Sequence, residues 1–266
     1  MVPSPWGPLP AEAIYPFAVI LGLALGSFAN VLIYRLPREE SILNPPSRCP
    51  ACGHKIRPIE NIPVVSWIFL RGRCSQCGAK ISLRYPLVEL GGGALAAVAV
   101  AVFGVSYATF AYGMLFIALF ALIIIDIETW LLPFAFTIPL AIIGLIGAAL
   151  FHLRPLADSL LGMVVGFSIF FLMMLGGKAI FKKDAIGGGD VVFGIMAGSF
   201  LGWKLTLLMV FIASLLGSLI SIPLLILGKE LSGRQIPFGP FLAVALVVSL
   251  FAGDQILNWY FRLIGL

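Results

Sequence analysis

Two acids stand where acids are rare. Asp126 follows directly on the apolar run 116–125, and Asp190 follows Gly187-Gly188-Gly189 at the mouth of a second apolar run that opens Val191-Val192-Phe193. An ionisable side chain at such a depth is costly and marks a functional site by default. Brought together from different helices, two carboxylates can share one proton, because like charges a few ångströms apart do not both ionise cheaply. A pair of that kind activates water for peptide hydrolysis, so the pattern points to an intramembrane aspartyl protease. The three glycines fit the same chemistry, since a backbone without Cβ bends sharply and lets an extended peptide approach. A plainer role stays open for each acid taken alone: Asp126 as a helix-end cap, Asp190 at the positive end of a helix dipole.

A second constellation is Cys49-Pro50-Ala51-Cys52 with Cys74-Ser75-Gln76-Cys77, which together hold all the cysteines of the chain. Each pair has zinc-knuckle spacing, and Gly53 and Gly78 follow directly to allow the tight turn that aims backbone amides at thiolate sulfur. Four cysteines leave no open coordination position, so a bound zinc is expected to be structural. Two disulfides are the alternative, disfavoured if the loop faces a reducing cytoplasm. His54 is read as a surface residue. Glu60 and Glu89 are acids of the same region without an evident partner, each able to bridge a neighbouring arginine.

The elements that must position these groups are membrane helices. With 61% hydrophobic residues, 11% charged residues and a mean hydropathy of +1.08, the chain departs from any ordinary soluble domain. Apolar segments run roughly over 14–34, 86–104, 107–126, 131–151, 156–177, 190–202, 203–227 and 237–261. The expected fold is an all-α polytopic membrane protein with about eight transmembrane helices and a small cytoplasmic zinc-binding loop domain. Segment 190–202 is too short to cross alone and must be sheltered, tilted or broken. The expected divisions are a first anchor (1–34), the cysteine loop (35–85) and a membrane-embedded region (86–266).

Charge orients the chain. Of its 17 basic residues, all but Arg154, Lys204 and Arg262 fall in the loops 35–85, 178–189 and 228–236, among them Lys182, Lys183, Lys229 and Arg234. The positive-inside rule puts those loops in the cytoplasm, both termini outside, and both aspartates at the cytoplasmic ends of their helices. The net charge of +5 follows from this bias and gives no argument for nucleic acid. Nothing before Arg35 is basic, so the first segment reads as a retained anchor. Gly22 and Gly26, and again Gly91-Gly92-Gly93, are expected to let helices pack closely. Asn30 is expected to hydrogen-bond across helices and Arg35 to snorkel to the interface. Glu128, Asp158, Asp184 and Asp254 read as loop or interface acids.

The ordered set of motifs resembles the bacterial type IV prepilin peptidases. It comprises the run from Gly26 to Pro37, the cysteine loop with Glu60-Asn61-Ile62-Pro63, and Arg84-Tyr85-Pro86-Leu87-Val88-Glu89. Downstream it continues with Ile125-Asp126 and Leu131-Leu132-Pro133, the stretch from Gly187 to Asp190, and Pro237-Phe238-Gly239-Pro240. The resemblance implies that Asp126 and Asp190 are the catalytic aspartates. It implies that the substrates are prepilins or pseudopilins, cut on the cytoplasmic side of the inner membrane after a glycine that precedes their hydrophobic stem. It further implies methyl transfer from S-adenosylmethionine to the new N-terminus. The cysteine loop is linked to that second activity, with Gly72 at a position associated with methylation and Glu60 as a further candidate. No Gly-rich strand-to-helix motif is present, so an S-adenosylmethionine site must differ from the Rossmann type. Two departures stand out: Phe134 where an acid is frequent, and Val192 where a lysine is common, which removes a cation that could tune the carboxylates. Membrane lipid is the expected surrounding. The competing classes are a peptidase without methylation, a transporter that relays protons through the acids, and a scaffold that uses the loop to bind secretion machinery.

Overall fold

A computed structural model describes residues 11–181, 187–226 and 237–265. Lys182, Lys183, Asp184, Lys229 and Arg234 lie outside the described residues. Among the described residues eight α-helices follow in order: α1 (Ala11–Arg35), α2 (Val65–Phe69), α3 (Arg84–Phe103), α4 (Tyr107–Thr129), α5 (Phe134–Phe151), α6 (Leu156–Phe181), α7 (Gly188–Ile226) and α8 (Gly239–Leu263). Among the described residues there is no strand, only two isolated bridges in the cysteine loop. All helices but α2 are long and apolar enough to cross a membrane, seven in all. The expected eight segments are nonetheless present, because α7 breaks at Gly202, which has φ 69° and ψ 177°. That break falls where the sequence divides 190–202 from 203–227. An unbroken helix of 39 residues would run about 58 Å, far beyond a hydrocarbon core of about 30 Å.

Contacts divide the chain into Met1–Ala121 and Leu122–Leu266, a cut inside α4. The boundaries at 34/35 and 85/86 mark instead where loop meets membrane helix. In the first unit, α1 and α3 pack on glycine. A Cβ on Gly22 would lie 2.5 Å from Gly92 O, and one on Gly26 2.7 Å from Val88 O. Asn30, only 2% exposed, donates to Tyr85 O at 3.0 Å as expected. Arg35 departs from expectation. It is 7% exposed and donates to Ser41 O and Pro45 O at 2.7 and 2.6 Å, so it ties down the start of the loop instead of snorkelling outward. The two loop carbonyls accept charge-assisted hydrogen bonds from the guanidinium and so satisfy it within the protein.

In the second unit, α6 runs antiparallel to the first arm of α7, with Gly162 against Gly198 and Gly166 against Gly194. Asp158 braces the break. Its Oδ1 accepts from Trp203 N at 3.3 Å, its Oδ2 accepts from Arg154 at 3.0 Å, and Arg154 Nε donates to Phe200 O at 3.2 Å. A Cβ on Gly202 would collide with the Asp158 carboxylate, so the turn requires glycine for space as well as for its positive φ.

Candidate active site and metal centre

Asp126 lies in the last turn of α4, where Trp130 N closes on Asp126 O at 2.9 Å and starts the short link to α5. Asp190 lies in the first turn of α7. Its backbone and side chain both close on the glycine before that helix: Asp190 N donates to Gly187 O at 3.1 Å, and Gly187 N donates to Asp190 Oδ2 at 3.0 Å. The three glycines thus form a capped helix start with an acid inside it. The two carboxylates are close enough to interact electrostatically. Asp126 is 5% exposed and Asp190 half-buried, beside exposed Gly187 and Gly188.

One residue joins the parts. Leu132, 6% exposed, packs where a Cβ on Gly189 would come 2.6 Å from its carbonyl oxygen and a Cβ on Gly239 3.0 Å from its Cδ2. The link after α4, the glycine-rich first turn of α7 and the start of α8 therefore meet on a single residue. Gly239 also reaches the acid directly, since its N–H donates to Asp126 Oδ2 at 2.8 Å from the N-terminal turn of α8. Sequence reasoning missed this contact. The Pro237-Phe238-Gly239-Pro240 motif was its signal, but the partner lies 113 residues away along the chain. A side chain at 239 would come 2.7 Å from the same oxygen, so only glycine presents its amide this closely. Of the departures, Phe134 lies beside Gly188, with its Cζ 3.7 Å from where a Cβ would stand, and Val192 is half-buried on α7.

The cysteines converge as their spacing implies. The two CxxC turns are built alike. Cys49 N donates to His54 O and Gly53 N to Cys49 O, both at 2.9 Å; Cys74 N donates to Ala79 O at 2.9 Å and Gly78 N to Cys74 O at 3.0 Å. Gly53 and Gly78 have φ 73° and 72°, the left-handed geometry such turns need. All four Sγ atoms lie within 4.8 Å of one another, and Cys49 and Cys77 are 3.9 Å apart. A tetrahedral ion with bonds of about 2.3 Å would set its sulfurs about 3.8 Å apart. The four thiols share their protons: the backbone amides of Cys77 and Gln76 pull Cys74 down to about 6, while burial and the three neighbouring sulfurs push Cys52 up to about 12, so it is the sulfur geometry that argues for a metal. The donor set therefore fits a four-sulfur metal site.

Glu60 ties the two turns together. Its Oε2 accepts from Arg57 N at 2.9 Å and faces His54 Nε2 at 3.2 Å, while Oε1 accepts from Ser75 at 2.6 Å. The Arg57 amide first, then the Ser75 hydroxyl, lower its carboxyl to about 2. Glu89 serves elsewhere. Only 8% exposed on α3, it accepts from Val64 N at 2.7 Å. Gly72 has φ 64° and lies under the Trp67 ring, where a Cβ would come within 2.8 Å.

Comparison with known proteins gives the same answer over both units. Residues 20–103 match the bacterial peptidase A24 N-terminal domain, and residues 113–222 match the type IV leader peptidase family. The protein named prepilin leader peptidase/N-methyltransferase from Stutzerimonas stutzeri is 38% identical over 92% of this chain and 93% of its own length. Proteins of that name from Pseudomonas aeruginosa and Myxococcus xanthus are 36% and 40% identical, over 93% and 85% of this chain and 93% and 66% of theirs. No solved structure matches. With seven apolar helices among its described residues and similarity along nearly its whole length, this integral membrane protein belongs to the type IV leader peptidase family.

Proposed function

We propose that this chain removes the leader peptide of type IV prepilins or pseudopilins with the Asp126–Asp190 pair and then methylates the new N-terminus. The observation that carries the reading is the meeting of two carboxylates from separate helices, within electrostatic reach of each other, on a frame of Leu132, Gly189 and Gly239. One ionised carboxylate takes a proton from water, and the resulting hydroxide attacks the scissile carbonyl carbon. The other, protonated, gives its proton to the carbonyl oxygen; the roles reverse as the intermediate collapses and the leaving amine is protonated. Titration belongs to the pair and not to either residue. The basic loops support a position for this end of the helices at the cytoplasmic face of the inner membrane.

Cleavage frees an α-amine whose ordinary pKa is about 8, so part of it is neutral and nucleophilic near pH 7. S-adenosylmethionine supplies the electrophilic methyl group, and the protein's contribution is to position the amine. Zinc is the ion proposed for Cys49, Cys52, Cys74 and Cys77, which would hold it as a cross-link of the loop and leave no open position for chemistry. Gly72 and Glu60 support methylation by shaping that loop: Gly72 makes room for Trp67, and Glu60 joins the two cysteine turns.

The test is the intact mass of a prepilin after incubation with wild type, Asp126→Ala and Asp190→Ala in lipid with S-adenosylmethionine. Cleavage plus one methyl by wild type is expected, with cleavage reduced by roughly 10²–10⁴-fold or more in both variants. Cleavage that survives either substitution removes the pair from the mechanism, and cleavage without the methyl mass leaves a peptidase alone.

A further inference from the structure

Helix α2, five residues long, has two unlike sides. On one, the Trp67 ring covers Gly72 and its Nε1 donates to Ile81 O at 3.3 Å, so this side faces the cysteine loop. On the other, Val65, Ile68 and Phe69 are exposed, Phe69 to 83%. Ile62, one turn earlier, extends the same apolar strip. Holding such a strip in water is unfavourable, and contiguous apolar patches of this kind mark contact surfaces.

The depth of α2 is set by a bond to the membrane helices. Val64, which begins it, donates its N–H to Glu89 Oε2 at 2.7 Å and has φ 63°, a conformation a β-branched residue adopts only when its surroundings impose it. Glu89 lies five residues beyond Arg84 on α3, roughly 7.5 Å along the axis. Gly26, packed against Glu89, lies nine residues before the end of α1. The start of α2 is thus bonded to a carboxylate inside the apolar spans of two membrane helices. Exposed Leu83, at the start of α3, and Leu87 and Leu90 on it form an outward apolar stripe through the same depth. Exposed Arg71 and Arg73 follow Phe69 closely, and cations at the margin of an apolar, aromatic face suit an anionic headgroup layer.

We propose that α2 is an interfacial helix that sinks Val65, Ile68 and Phe69 into the headgroup boundary of the bilayer, so that the cysteine loop is seated on lipid. The inference rests on the membrane helices and not on the peptidase reading, and its test needs no activity. Full-length protein carrying Phe69→benzoylphenylalanine is placed in vesicles of phosphatidylethanolamine and phosphatidylglycerol, irradiated and analysed by mass spectrometry. Gln76→benzoylphenylalanine, at an exposed position between the last two cysteines, is the control, and Ile68→benzoylphenylalanine is a second site on the same face. Lipid adducts several-fold more abundant at 69 and 68 than at 76 are expected. Equal adducts at all three positions, a cross-link between two copies, or replacement of the lipid adduct by a cross-link to added prepilin would overturn the assignment.

Discussion

Gly239 does more for the acid pair than its lack of a side chain suggests. Its N–H holds one oxygen of Asp126, and its missing Cβ leaves room for that oxygen and for Leu132. Gly239→Ala should therefore displace Asp126 and press on Leu132, which also packs against Gly189 beside Asp190. The expected outcome is a fall in kcat of roughly 10²-fold, measured on a prepilin-derived peptide. Glu60 permits a prediction in pH. Its carboxyl is lowered from 4.5 to about 2, so the folded loop favours the charged form. Its contribution is complete above about 4.5 and is lost as pH falls toward 2. Glu60→Gln should weaken the loop fully at pH 7, and the gap between variant and wild type should close between pH 4.5 and 2 in unfolding measurements, while effects of thiol protonation are common to both proteins.

At the scale of elements, glycine sets how closely helices approach. Gly162 and Gly166 of α6 meet Gly198 and Gly194 of α7 with no space for a Cβ at either crossing, and this contact carries the arm that begins with Asp190. Gly198→Ala should push the helices apart and destabilise the second unit by about 1–3 kcal/mol, with a matching drop in Tm in detergent and a parallel loss of cleavage. Gly176→Ala is the control. Nothing lies within 4 Å of a Cβ there, so the variant should lose no stability and gain at most the ~0.5–1 kcal/mol by which alanine exceeds glycine inside a helix. The broken α7 answers to the same logic: the bend needs Gly202, and Asp158 caps the new helix start at Trp203.

For the whole molecule, the residues proposed for the two chemistries sort by unit. All four cysteines lie in Met1–Ala121, whereas Asp126, Leu132, Asp190 and Gly239 lie in Leu122–Leu266. Each unit has its own tightly packed glycine interface, so damage to the metal site should stay local. Cys74→Ser, or removal of metal by a chelator, should abolish addition of the methyl mass while leaving leader cleavage within a fewfold of wild type. Equal loss of both activities would show that the cysteine loop also supports the peptidase.

Composition and apolar run length alone determined an all-helical membrane protein, because 61% hydrophobic residues in stretches of bilayer length have no other stable place. The CxxC pairs and their glycines likewise determined the four-sulfur cluster, since each turn is local and its geometry depends on a few neighbouring residues. Asp126 and Asp190 stood out because a charge beside an apolar run is rare. Their shared frame was decided only in three dimensions. The Gly239 bond to Asp126, the wedge of Leu132 and the pin from Glu89 to Val64 join residues distant in sequence, and no local periodicity encodes such partners. Arg35 differs, since its partners are close in sequence: length and charge suggested an outward reach, but the fold of the following loop turns the carbonyls of Ser41 and Pro45 back onto the guanidinium.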